Sequence, residues 1–151
     1  MALTYLLVGQ LLVGARPAPV SAAELREATE LRLFSNELVD MVEEFLARTK
    51  SAKAGQAAAY ERWAEQDFRP RGNDFRQRLI HSKLNNRAHT ALLAAADRTV
   101  AMSASPHDSR LSQSAKRAAL EAVKLCESHI AQLGATKGIS PAPATPSFAK
   151  P

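Results

Sequence analysis

"LRLFSNELVDMVEEFLARTK", residues 31–50, settles the fold class. Leu31, Phe34, Leu38, Met41 and Phe45 recur at intervals of three, four, three and four, and Val42 and Leu46 widen the stripe. A helix places such residues on one side, whereas a half-buried strand would alternate at every second position. The same spacing serves either a bundle core or a coiled coil between chains. Leu31, Phe34, Leu38, Met41 and Phe45 are therefore the candidate seam for a protein partner or for homo-oligomerisation through helix faces.

Upstream, Ser21 and Glu24 form an S-x-x-E capping box that starts this helix. Before it, Ala2–Ala15 is apolar except for Thr4 and Gln10. Fourteen helical residues reach about 21 Å, against a hydrocarbon core of about 30 Å, so no stable transmembrane span is expected. The length matches the apolar region of a signal peptide. Pro17 and Pro19 end it, and Val20-Ser21-Ala22 offers the small residues that a signal peptidase reads. No Lys or Arg precedes the run, which departs from that pattern; a hydrophobic segment packed on the bundle is the competing reading. Residues 1–22 are expected to direct export, periplasmic or secreted, with a cytoplasmic chain as the alternative. A cut after Ala22 would remove the Ser21 cap, so leader and cap compete for the same residues.

Downstream, "QDFRPRGNDFRQR" at residues 66–78 nearly repeats itself. Pro70 disfavours helical geometry at Arg69, Gly72 follows, and Asn73 can cap a new helix, so a tight corner is expected at Pro70–Asn73. Phe68 and Phe75 then flank the corner and pack on each other or on a third helix. A shorter helix carrying Trp63 precedes it, after a small, polar break around Gly55. A long helix from Asp74 to about Ser103 follows. On a helical wheel, Ile80, Leu84, Ala88, Leu92, Ala95 and Met102 share one face, and Phe75, Leu79, Leu93 and Val100 lie nearly opposite. "SASPHDSR" is a loop, and a last helix runs from about Arg110 to Leu133, stopped by Gly134. Residues 135–151, rich in Pro, Ala and Ser, read as a disordered tail.

The expected fold is thus all-α: an elongated antiparallel bundle of three long helices plus one shorter helix, with residues 23–134 as the bundle domain. Aromatic residues make up only 5% of the chain, which favours close, small-residue helix packing over sheets. The formal charge of +5 is unevenly spread. Residues 21–50 hold seven acids against four bases, and residues 51–102 hold nine bases against five acids. An acidic first helix beside a basic second one accounts for this split.

Sites for chemistry are sparse. His81 and His89 are eight residues apart, about 12 Å along one helix, too far to share an ion. Cys126 and His129 are three residues apart, the spacing of a thiolate–imidazole pair, yet no second ligand pair occurs. Neither a glycine-rich phosphate loop nor a nucleophile elbow is present. No enzyme activity, cofactor, metal or catalytic residue is expected. The leading reading is a non-enzymatic helical interaction or scaffold protein, exported and acting through helix faces. Its alternative is a cytosolic polyanion-binding module, with nucleic acid held by Arg69, Arg71, Arg76, Lys83 and Arg87.

Overall fold

The computed structural model describes residues 19–52 and 54–137, and these are all-helical apart from short connections. Residues 1–18 of the expected leader and 138–151 of the expected tail lie outside them. Helix α1 spans Ala22–Ser51, about 45 Å at 1.5 Å per residue. Its capping box forms: the Glu24 amide donates to Ser21 Oγ at 3.2 Å, and the Ser21 amide donates to Glu24 Oε2 at 3.0 Å. Leu31, Leu38, Met41, Val42 and Phe45 are buried, so the heptad seam closes this chain's own core. That corrects its candidacy as an outward docking surface. Four of its five residues have no surface left to offer, and only Phe34 is half-buried.

After Ala52, a single 3-10 turn (Ala54–Gln56) leads into α2, Ala57–Trp63. Here the chain departs from expectation. A π-helical turn, Ala64–Phe68, joins α2 directly to α3, Arg69–His81, so the segment from 57 to 81 is one continuous rod. There is no corner at Pro70–Asn73. Proline breaks helices because it lacks an N–H and its ring strikes the carbonyl four residues earlier. The π turn widens the ladder just before it, and Pro70 sits in the first turn of α3, where the missing N–H costs little. Arg69 keeps helical angles, φ −60 and ψ −43. Gly72, the second supposed breaker, is buried where α1, α3 and α4 meet. A Cβ there would lie 3.2 Å from Val100 Cγ2 and 3.7 Å from Met41 Cε, so the glycine permits close helix approach.

The real break comes later, at residues 82–86. Ser82 is extended, φ −67 and ψ 158, and its Oγ donates to the Leu79 carbonyl at 2.8 Å. Asn86 then caps α4, Arg87–Ala104, by accepting the His89 amide at 2.9 Å. The expected single helix from Asp74 to Ser103 is therefore two antiparallel helices. This breaks the predicted wheel: Ile80, placed on its apolar face, is 45% exposed. Ser105–Asp108 turns the chain into α5, Ser109–Lys137, where Asp108 Oδ1 accepts the Arg110 amide at 2.8 Å. Gly134, the expected stop, lies buried within this helix.

The rods α1, α2–α3, α4 and α5 run up, down, up, down around one core, as short connections require. Alanines thin the α4–α5 interface, with Ala95, Ala96, Ala115, Ala119 and Ala122 all buried. Phe45 of α1 anchors an aromatic cluster at one end, 4.9 Å from Phe68 and 5.8 Å from Trp63 between ring centres. Phe75 meets Phe34 edge-on at 5.9 Å, so both flanking phenylalanines pack against α1. Burial of each such side chain contributes about 1.5–3 kcal/mol.

Candidate binding surfaces

The arginines of the expected polyanion contact are largely neutralised by acids of neighbouring helices. Arg71 pairs with Glu44 at 2.8 Å. Arg76 pairs with Asp97 of α4. Arg78, which interleaves with the set, forks onto Glu37 (3.0 Å for one of its two bonds) and reaches Asp74 at 2.9 Å. The Glu37 hydrogen bonds push its guanidinium pKa further up. Arg69 donates to the Ser103 carbonyl at 3.2 Å, placing a cation at the C-terminal end of α4, while its Nε is buried without a partner. The acidic helix and the basic helix are neighbours, as the charge split predicted. Lys83 and Arg87 fall around the 82–86 break, on different elements from Arg76, and are exposed without an ion pair among the described residues. The five cations of the expected stripe thus come from three elements, α3, the 82–86 connection and α4, and the three on α3 are already engaged.

The histidines are occupied separately. His81 Nδ1 lies 2.8 Å from the Gln77 carbonyl, and His89 Nε2 lies 2.9 Å from that of Leu79. A carbonyl only accepts, so each of these nitrogens carries the hydrogen. Cys126 is buried, and burial followed by the nearby Glu127 charge pushes its thiol up to about 12. A thiol held protonated at neutral pH is a weak nucleophile. His129 reaches across the bundle instead, its Nε2 2.9 Å from Glu27 Oε1. The same oxygen accepts Asn86 Nδ2 at 2.6 Å. One carboxylate thereby ties α1, the 82–86 break and α5 together. Sequence reading missed this node, because its members are separated by 59 and 102 positions and carry no shared spacing. Among the described residues no three His, Cys, Asp or Glu side chains are grouped to hold a metal.

Two shallow grooves are built partly by α1. One, about 340 Å³, runs between α1 and α3 and is lined by Glu30, Leu33, Phe34, Glu37, Arg78 and His81, with Ser82 at its end. Leu33 projects from it, 64% exposed. Ser82 Oγ also lies 3.4 Å from His89 Nε2, but both groups donate to the Leu79 carbonyl, so in this tautomer the imidazole does not serve the hydroxyl as a base. The other groove, about 260 Å³, lies beside Trp63, whose ring stacks on Tyr60 and carries the Arg48 guanidinium 4.3 Å from its centre. Tyr60 spans the end of the bundle, with Thr49 Oγ1 at 2.5 Å and the Pro106 carbonyl at 3.1 Å. Burial raises its phenol pKa against the opposing effect of Thr49. Leu33 carried one sequence signal: it is an apolar residue of α1 lying off the heptad seam. No helix among the described residues is long and apolar enough to cross a membrane.

No family model, curated protein or solved structure matches this chain.

Proposed function

We propose that this chain is a non-catalytic helical interaction protein whose partner, in the first instance, is a second copy of itself docked on the α1–α3 groove. The carrying observation is Leu33: a large apolar side chain, 64% exposed, stands beside a recess of about 340 Å³ floored by Phe34. Knob and hole on one patch make it self-complementary. A two-fold axis through the groove would place each Leu33 in the other copy's recess, the isologous arrangement of most homodimers. Its rims are opposite in sign, Glu30 and Glu37 on α1 facing Arg78 on α3, with the Glu37–Arg78 pair already made within each copy. The non-catalytic part is supported by how the nucleophile candidates are held: a protonated buried thiol, and a serine without a base.

Sedimentation of the full chain over a micromolar-to-millimolar series tests the docking. The native protein should form a dimer that Leu33→Glu abolishes, with its circular dichroism unchanged because the residue is exposed. A native protein monomeric throughout, or a Leu33→Glu protein that still dimerises, would refute it. Export of the mature chain from Ala23 onward completes the proposal. Intact mass of the natively produced protein reads it directly, and retention of residues 1–22 would remove that part.

A further inference from the structure

The charge of the bundle is divided between its two halves. Helices α4 and α5 hold seven bases, Arg87, Arg98, Arg110, Lys116, Arg117, Lys124 and Lys137, against three acids, Asp97, Glu121 and Glu127. Asp97 is already spent on Arg76 of α3. The α1–α3 half carries more acids than bases, so the excess positive charge resides in the α4–α5 hairpin.

Within that hairpin, Arg98 of α4 and Arg117 of α5 line one groove of about 380 Å³ with Ser114, Ala118 and Glu121. Neither guanidinium makes an ion pair or hydrogen bond among the described residues, in contrast to Arg71, Arg76 and Arg78. Arg110, Arg117 and Lys124 are all exposed and follow one another at seven-residue spacing on α5. Seven residues advance about 10.5 Å and drift only about 20° around the helix, so the three form a straight row of about 21 Å. Arg98 stands beside the middle of that row. Glu121 is the opposing charge, and it disfavours capture of one small dianion in the groove. A polymer that meets the whole row overcomes a single carboxylate.

The face also says what it cannot grip. Neither helix contains a Phe, Tyr or Trp, and their histidines are engaged away from this row, His89 with the Leu79 carbonyl and His129 with Glu27, so the row has no platform on which to stack a base. Among the described residues the large exposed hydrophobic ones, Leu25, Leu33 and Ile80, all lie on α1 and α3, so the α4–α5 face offers none of them to a bilayer. We infer that the α4–α5 face binds the phosphodiester backbone of a nucleic acid without reading its bases, Arg98 and Arg117 clamping phosphates across the groove and Arg110 and Lys124 extending the contact. This site is distinct from the α1–α3 docking groove and does not depend on it.

The test is fluorescence anisotropy of the full chain with labelled duplexes of two unrelated sequences, about 20 base pairs each, across 50–200 mM salt. Both duplexes should bind alike, with log Kd rising against log salt at a slope of about 3–4, as four neutralised phosphates require. Arg98→Ala with Arg117→Ala should weaken binding at least tenfold and reduce the slope by about two. Glu121→Gln should tighten it. Paired thermal melts check that the double variant, altered only at exposed positions, remains folded. Absence of binding at 50 mM salt overturns the inference, as does a folded double variant with native affinity. Phosphatidylserine-containing vesicles bound in preference to both duplexes would assign the face to a membrane and overturn it equally.

Discussion

Cys126 shows how far environment outweighs identity at a single position. The thiol has an ordinary pKa of 9.0 and is pushed up to about 12 in the fold, chiefly by burial. Above pH 9 the unfolded chain loses this proton while the native chain keeps it, so stability should fall with rising pH. The window runs from about 9 to about 12, at up to about 1.4 kcal/mol per pH unit. Urea melts at pH 8, 9 and 10 should show the decline, and Cys126→Ala should flatten the part of it that this thiol contributes. In the same protein at neutral pH, a thiol reagent should label Cys126 only as the chain unfolds. The sequence allowed the buried reading of this cysteine from its place on an amphipathic helix. Gly72 was harder. A breaker glycine and a contact glycine exploit the same missing Cβ, and only Val100, 28 positions away, separates the two. No local pattern carries that information.

Elements were legible where their ends carry their own chemistry. The Ser21–Glu24 box and the Asp108 turn start α1 and α5 close to where the residues suggested, because caps act over three or four positions. The middle of the chain misled for the same reason in reverse. Pro70 is a strong local signal that a π turn overrides, whereas Asn86 is a quiet cap in a stretch without glycine or proline. Asn86→Ala tests the weight of that cap. It removes the hydrogen bond to the His89 amide and the link to Glu27, and should destabilise the fold by about 1–2 kcal/mol in chemical melts. Asn86→Asp keeps the capping oxygen but places a second carboxylate beside Glu27, and should recover only part of the loss. A change below the error of the measurement would show that α4 begins without help from this residue.

At the scale of the molecule, the heptad seam and the charge split carry different weights. The seam supplies the energy. Leu38 is fully buried, so Leu38→Ala should cost about 2–5 kcal/mol and appear in thermal melts as loss of fold, ahead of any change in association. A Leu38→Ala protein of native stability would mean that α1 packs through other residues. The ion pairs from Glu37 and Glu44 to α3 are half-exposed, and each is worth little by itself. Their use is orientational, since they match acids of one rod to bases of the next in antiparallel order. That matching was readable from the composition of each half. What could not be read was which cations would be left over, because that depends on which helix faces meet.

The lone tryptophan offers one further consequence. Trp63 sits under Arg48 and against Phe45 at the end where α1 meets α2, far along the bundle from the Glu27–His129 tie. Its emission is therefore a local gauge of that extremity, while Cys126 accessibility gauges the opposite half of α5. Recording both during the same denaturant titration turns the chain into its own two-channel instrument: coincident curves mean the rods come apart as one unit, and separated curves mean the aromatic end frays first.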